Sequence, residues 1–511
     1  MTLPHGFTLT LDRDTRVLDH GRALLGGHPT RLLRLTPRAR GLLSGRTLTV
    51  RNAAGAVLAE RLLATGLAHP ELAALPEPAT ASGTEPTCTY VIPVRDRPRQ
   101  LARLLCCVPG GSPVLVVDDA SRNPELTASV AARHGARLLP LPENLGPAGA
   151  RNAGLREVTT PHVAFVDSDI VLPAETVPGL LRHFADPSVA MAVPRITALS
   201  TAESTGWISR YERTRSSLDL GTRPAAVRPG TPVSWAPSAC VVARTDVLLK
   251  AGGFDERMRV GEDVDLCWRL VDGGRRIRYE PSLWAAHEHR AGLADWLRRK
   301  AEYGTGAHPL AVRHPIAIAP AVLAPWSAGL LLALAVQRRW SLPVAGSLWA
   351  LTTVRIARTL SDTGQPVRQA VRLTAVGAVS ALAQGGSLAT RHWWPLTAGG
   401  CLVSRRVRRV AAVAAVLDVA LEYRRRPTGL DPVRYATARR LDDLAYGAGV
   451  WWSALKGHSA AALRPRIVTG RDQRPPGRRL LPGARRLLLL IGSHGACPGR
   501  TSPAARTWTC A

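Results

Sequence analysis

At 511 residues the chain has room for about three domains and a large core. Its 67 Lys+Arg against 38 Asp+Glu give a formal net charge of +29, but lysine stands only at positions 250, 300 and 456. The arginines are spread along an Ala-, Gly- and Pro-rich chain, a bias that coding composition alone can produce. Their crowding beside apolar runs in the C-terminal third suits a membrane surface better than a nucleic-acid groove, so no nucleic-acid partner is expected.

Residues 1–75 form a small first unit. "GFTLTLDRDTRVL" alternates like a pair of strands, and "TPRARGLL" reads as a helix capped by Thr36 with proline at its first position. The Pro- and Thr-rich stretch around 76–88 reads as a linker. No basic-then-apolar leader opens the chain, which places the domain that follows in the cytoplasm. The eight cysteines include no CxxC pair and read as buried small hydrophobes in a reducing compartment.

Over 89–305 strand and helix alternate. "TYVIPV", "PVLVVDDAS", "ARLLPL", "HVAFVD" and "VAMAVPRI" are strands; Leu101, Leu104, Leu105 and Val108 share one helical face, and Asn123 caps a helix that Pro124 opens and Gly135 closes. Such alternation means an α/β domain with a parallel or mostly parallel sheet covered on both faces, and ligands bind at the carboxyl ends of its strands. Past 306 the chain turns apolar and basic. Pro315 to Val336 is 22 residues without a charge, long enough to cross a bilayer at about 1.5 Å per residue, or else a buried hairpin broken at Pro320 and Pro325. "RRVRRVAAVAAVLDVALEYRRR" suggests an interfacial helix, so 306–456 reads as a helical membrane-associated region. Both flanks of the 315–336 run are basic and give no topology. Residues 457–511, basic and rich in Pro and Gly, read as a disordered tail.

"FVDSDI" ends a buried strand on Asp167 and Asp169, and two adjacent carboxylates need a cation to offset their repulsion. A hard ion, Mg2+ or Mn2+, takes one or two carboxylates and fills its shell with water and phosphate oxygens. A sugar nucleotide supplies those oxygens, with Asp169 on the metal and Asp167 on the ribose. Asp118 and Asp119 end an earlier strand, where they can accept hydrogen bonds from a base or ribose. "ENLGPAGARNAGL" is a flexible glycine-rich turn leading into a helix, with Arg151 free to reach the nucleotide, or an ordinary loop. Glu262 and Asp263 open a helix whose inner face is Val264, Cys267, Trp268 and Val271; there a carboxylate can deprotonate an acceptor hydroxyl, or the two merely cap the helix. In "AAHEHR" either His287 or His289 can point inward and complete the metal shell.

In order and spacing, "TYVIPVRDRP", "VLVVDDAS", "NLGPAGARNAGL", "FVDSDI" and "GEDVDLCWR" resemble glycosyltransferase family 2, inverting enzymes of GT-A fold, a Rossmann-like mixed sheet. The resemblance covers about residues 88–300. It implies a nucleotide pocket of Pro93, Asp96, Asp119 and Arg151 supported by Asp118, a D-x-D pair of Asp167 and Asp169, Asp263 as catalytic base, and His287 or His289 as a further metal ligand. Processive members carry a Q-x-x-R-W motif; "QRRW" at 337–340 falls one residue short, which disfavours a polymer-extruding synthase.

Over residues 5–450, "LDRDTRVLDHGRALLGGHPTRLLRLTPRARGLL" and "WLRRKAEYGTGAHPLAVRH" look like the mycofactocin-system glycosyltransferases. That resemblance implies β-linked transfer of glucose from UDP-glucose to a peptide-derived redox cofactor at the inner face of the cytoplasmic membrane. It also makes 1–75 similar to small winged-helix, peptide-binding units. The rival expectations are a family 2 enzyme acting on a lipid-linked or cell-wall glycan and, more remotely, a non-catalytic basic protein that binds nucleic acid or membrane.

Overall fold

In the computed structural model residues 2–77, 87–200, 206–289, 292–425 and 429–469 are described. Most of the expected linker and most of the expected tail lie outside them. The chain divides into two compact units, both discontinuous in sequence: 72–318 with 423–459, and 2–71 with 319–422 and the residues from 460 on. This division cuts across the expected one, which kept 306–456 together.

The first unit is built on a nine-stranded sheet. Its strands are β1 (Cys88–Val94), β2 (Val114–Asp118), β3 (Arg137–Pro140), β4 (His162–Val166), β5 (Ile170–Val171), β6 (Val189–Ala198), β7 (Ala225–Ala226), β8 (Cys240–Arg244) and β9 (Arg276–His287). They lie in the order β5-β9-β6-β8-β4-β1-β2-β3, with β7 on β9. The strands β4, β1, β2 and β3 are parallel, as the strand-helix alternation demands. Farther along, β8 runs antiparallel to β4 and β6, and β5 antiparallel to β9, so the whole sheet is mixed.

The period of two sends alternate residues to opposite faces. Tyr90, Ile92, Val94, Val116, Ala164 and Val166 join one apolar cluster, covered by α1 (Pro98–Leu105) and α2 (Pro124–Arg133). Val91, Val117, Val163 and Phe165 join the other, under α3 (Gly146–Arg156). The Asn123 side chain accepts from the Leu126 amide as the cap of α2. Gly149 and Gly154 sit inside α3, not in a flexible turn, and a β-carbon at Gly154 would collide with Val91, so α3 lies unusually close to the sheet.

The same unit also holds α4 (Trp207–Arg215), α5 (Glu262–Asp272), α6 (Leu293–Thr305) and α7 (Pro432–Lys456), besides shorter helices. Gly304 of α6 meets Gly449 of α7 so closely that a β-carbon on either would strike the other helix's backbone. Beside this crossing the buried Lys300 ammonium lies 2.8 Å from Glu212 and 3.5 Å from Asp442, while Tyr211 donates to Asp442 and the Trp296 indole donates to Glu212. The α5 face differs from expectation by one step: Leu266, Cys267, Trp268 and Leu270 are buried, while Val264 and Val271 are half-buried. Asp265 is fully buried on that face, answered by Arg269 at 2.6 Å, Arg313 at 2.8 Å and His314 at 2.9 Å.

In the second unit Thr8–Leu11 pairs with Thr47–Thr49 and Ala68–Pro70, whereas Arg16–Leu18 pairs with Ala23–Gly26. The two strands that read as a pair therefore belong to different sheets. Thr36 caps Pro37–Gly41 as expected, and the Ala53–Thr65 helix follows. The 315–336 run is not one helix. Val322–Leu323 pairs with Arg466–Ile467, and helix resumes only over Pro325–Val336, 12 residues that span about 18 Å against the roughly 30 Å of a hydrocarbon core. Pro320 and Pro325 explain the break, because each disfavours helix in the residue before it. Among the described residues no helix is long and apolar enough to cross a membrane. Cys88, Cys240 and Cys267 are buried, but Cys106 is exposed and Cys107 and Cys401 are half-buried, against the expectation for all of them.

Candidate active site

The carboxyl ends of β1, β2 and β4 carry the acidic residues. Asp167 and Asp169 follow β4, and the sheet register then supplies a histidine: β5 pairs with β9 so that Ile170 faces His287, and the Glu288 amide donates to the Asp169 carbonyl at 3.0 Å. His287 Nε2 thereby stands 3.5 Å from Asp169 Oδ2. The Arg97 guanidinium pairs with the same carboxylate oxygen. Burial opposes ionisation of Asp169, but His287 and Arg97 overcome it and hold the carboxyl below its ordinary range; burial likewise opposes protonation of His287, and Asp169 reverses it. His289 has no hydrogen-bond partner among the described residues, and burial lowers its pKa. The register therefore selects His287 as the neighbour of the D-x-D pair.

Among the described residues no group of three or more His, Cys, Asp and Glu side chains is gathered for a metal. One carboxylate and one imidazole nonetheless suit a hard divalent ion that draws the rest of its shell from phosphate oxygens and water, and the Arg97 guanidinium already stands as a cation on that carboxylate.

Arg151 departs from its expected freedom. Its side chain is 3% exposed and clamped between Asp167 at 2.5 Å and Glu262 at 3.3 Å, with its guanidinium 5.4 Å from the centre of the Phe254 ring. One side chain thus ties the D-x-D strand end to the start of α5. Gly261, in the left-handed region at φ 86, turns the chain into that helix. Glu262 is buried there, and burial raises its pKa. The next residue, Asp263, is pushed up to about 7 by burial and by the Glu262 charge, opposed by the Val264 amide that donates to it at 2.8 Å. A carboxyl that titrates near neutrality is suited to general-base work.

The nucleotide-side residues fall at neighbouring strand ends. Pro93 is half-buried in β1, and Asp96 follows that strand at φ 55, its carboxylate accepting from the Arg122 amide at 2.8 Å. Asp118 accepts from the Ser121 amide at 3.1 Å. Both Asp119 oxygens accept backbone amides, from Leu145 at 2.7 Å and Gly146 at 3.0 Å, so this carboxylate fastens the start of α3. Burial raises its pKa against those bonds. Arg97, in "VRDRP", and Glu288, which takes bonds from Arg103 at 2.6 Å and Gln100 at 3.4 Å, join the site without a motif of their own.

Within this mixed α/β sheet, with acids at its strand ends, residues 90–238 match the model of glycosyl transferase family 2. The pre-mycofactocin glycosyltransferase of Mycobacterium tuberculosis is 44% identical over 484 residues, 91% of this chain and 99% of that protein. The chain belongs to the mycofactocin-system glycosyltransferases of family 2. An uncharacterized glycosyltransferase of Mycobacterium bovis is 32% identical over 190 residues, 37% of this chain and 81% of its own. A mannosyltransferase from Pyrobaculum calidifontis, solved in complex with GDP-Man and Mn2+, superposes with a TM-score of 0.36 at 19% identity, covering 61% of this chain and 88% of that one. That likeness is too loose to carry any residue's role across.

Proposed function

We propose that the protein transfers glucose from UDP-glucose to the peptide-derived redox-cofactor precursor named by its relatives, with inversion at the anomeric carbon. Asp263 takes the proton from an acceptor hydroxyl, whose oxygen attacks the anomeric carbon opposite the diphosphate; the bond to UDP breaks as the new one forms, turning an α-linked donor into a β-linked product. Pro93 and Asp96 line the nucleotide side with Asp118 in support, and Asp167 meets the ribose. Mg2+ or Mn2+ held by Asp169 and His287 would neutralise the departing diphosphate. The observation that carries this reading is the Arg151 clamp, which holds the leaving-group end at Asp167 and the base end at Glu262–Asp263 on either side of one buried guanidinium.

Mass spectrometry of the purified enzyme with UDP-glucose, Mn2+ and the unglycosylated precursor tests it, with Asp169→Ala as control. Successive hexose additions that vanish in the variant support the reading, and no turnover of any UDP-sugar overturns it. We infer also that the enzyme works at the inner face of the cytoplasmic membrane. Leu342, Leu351, Leu402 and Val403 are exposed on the second unit's helices, among arginines, which favours shallow binding to anionic lipid. The same apolar surface favours, as the second reading, a lipid-linked glycan acceptor; comparison of the two acceptors separates them. Residues 1–75 are assigned to acceptor-peptide recognition, which fails if their deletion leaves precursor capture unchanged.

A further inference from the structure

In the second unit, residues from 2–71 and 319–422 enclose an open cavity of about 550 Å3. Arg13, Arg16, Arg46 and His20 stand in its wall with a single carboxylate, Asp19. Counting permanent charges, three less one leaves +2 on a concave surface. The other polar side chains of the wall, Thr15, Gln365 and Gln369, are neutral, and the two glutamines stand at the start of the Pro366–Ser387 helix, whose positive dipole end adds to the same sign.

Two of the basic groups are held in place. Arg46 donates to the carbonyls of Asp12 at 2.5 Å, Thr15 at 3.1 Å and Leu11 at 3.3 Å, and Arg16 donates to the buried Gln369 side chain at 2.8 Å. Nearby acids are engaged elsewhere: Asp19 accepts from the Gly364 amide at 2.7 Å, Asp12 lies 3.2 Å from His69, and Asp362 pairs with Arg34 at 2.8 Å. Asp19 and His20 are also consecutive non-glycine residues in the left-handed region, at φ 53 and 54. Such strain persists where the surroundings over-determine it, often at ligand clamps.

We propose that this cavity binds a small oxyanion, a carboxylate- or phosphate-bearing molecule, using residues the transferase chemistry does not employ. The volume is that of a small-molecule site, and the guanidinium fork matches both oxyanions. Titration calorimetry on the full-length chain, with saturating UDP to fill the donor site, tests it with pyrophosphate and citrate as probes. One-site saturable binding of either probe is expected, weakened about tenfold or more in Arg13→Ser/Arg16→Gln with the circular dichroism spectrum unchanged. Preference for pyrophosphate assigns the site to phosphates, and preference for citrate to carboxylates. Should the double variant misfold by circular dichroism, Arg13→Ser alone, at an exposed side chain, must weaken binding about threefold. Absence of saturable binding to both probes, or undiminished affinity in the variants, overturns the proposal.

Discussion

Arginine does opposite work in the two units. In the sheet-bearing unit the guanidiniums of Arg151, Arg269, Arg276 and Arg97 each meet a largely buried or half-buried carboxylate. In the second unit, residues 319–422 hold eleven arginines against three acids, Asp362, Asp418 and Glu422, and large apolar side chains stand exposed among them. A single compositional bias thus builds a self-neutralised interior in one place and a positive, apolar surface in the other. The net charge of +29 already counts every acid against a base, so its bearing on partners depends on where the excess arginines lie, and many of them lie in this second unit.

The sharpest break of the first half is Asp263→Asn. Loss of the general base is expected to lower kcat by about 10³-fold while UDP-sugar affinity stays within a few-fold. Calorimetry that finds donor binding lost together with turnover would remove Asp263 from the base role. Next comes Arg151→Gln, which leaves Asp167 and Glu262 without their shared cation; stability should fall by about 3 kcal/mol, read by denaturant titration. An unchanged midpoint would mean that water or metal replaces the guanidinium. Of comparable size is Gly449→Leu, which forces α6 and α7 apart and should cost about 3 kcal/mol. A melting temperature equal to wild type refutes the tight crossing.

A smaller effect concerns pH. Asp263 is pushed up to about 7 by burial and then by Glu262, so its base form is lost as pH falls and the kcat profile should drop below about pH 7. Removing the neighbouring negative charge in Glu262→Gln lowers the Asp263 pKa, so that limb should move to lower pH; a limb that stays put or rises contradicts the coupling. The mildest test sharpens the other half of the comparison. Leu402→Asp/Val403→Asp should reduce co-sedimentation with phosphatidylglycerol vesicles several-fold and leave soluble turnover intact. Equal sedimentation of both forms argues against that surface.

The strand ends were legible because period-two burial and the acids that follow it are local signals, as in "HVAFVDSD" and "VLVVDD". Pairing was not. The choice of His287 over His289 depends on β5 meeting β9 in one register, which no local pattern encodes. The Arg151 clamp stayed hidden because a glycine-rich helix start looks like a loop. Asp265 reads as one more polar residue on an amphipathic helix until three cations gather around it. The apolar run at 315–336 misled because hydropathy averages over Pro320 and Pro325, whereas the backbone does not. Nothing local in α7 announces that it belongs with the sheet; the pertinent mark is a glycine whose partner lies on a helix far back in the chain.

The α6–α7 crossing also sets a timetable for synthesis. The ribosome delivers the sheet, then α6 with Gly304 and Lys300, and must add the whole of 319–422 before α7 can arrive. Until then the groove awaiting α7 stays open, with Lys300 lacking Asp442 and the Tyr211 hydroxyl lacking its acceptor. A nascent chain in that state is exposed to misassembly and proteolysis, since α7 docks only at the entropic cost of closing the long loop between α6 and itself. Completion of the transferase unit therefore waits on the delivery of α7, and a chain cut short after residue 318 carries every strand of the sheet without the helix that closes it.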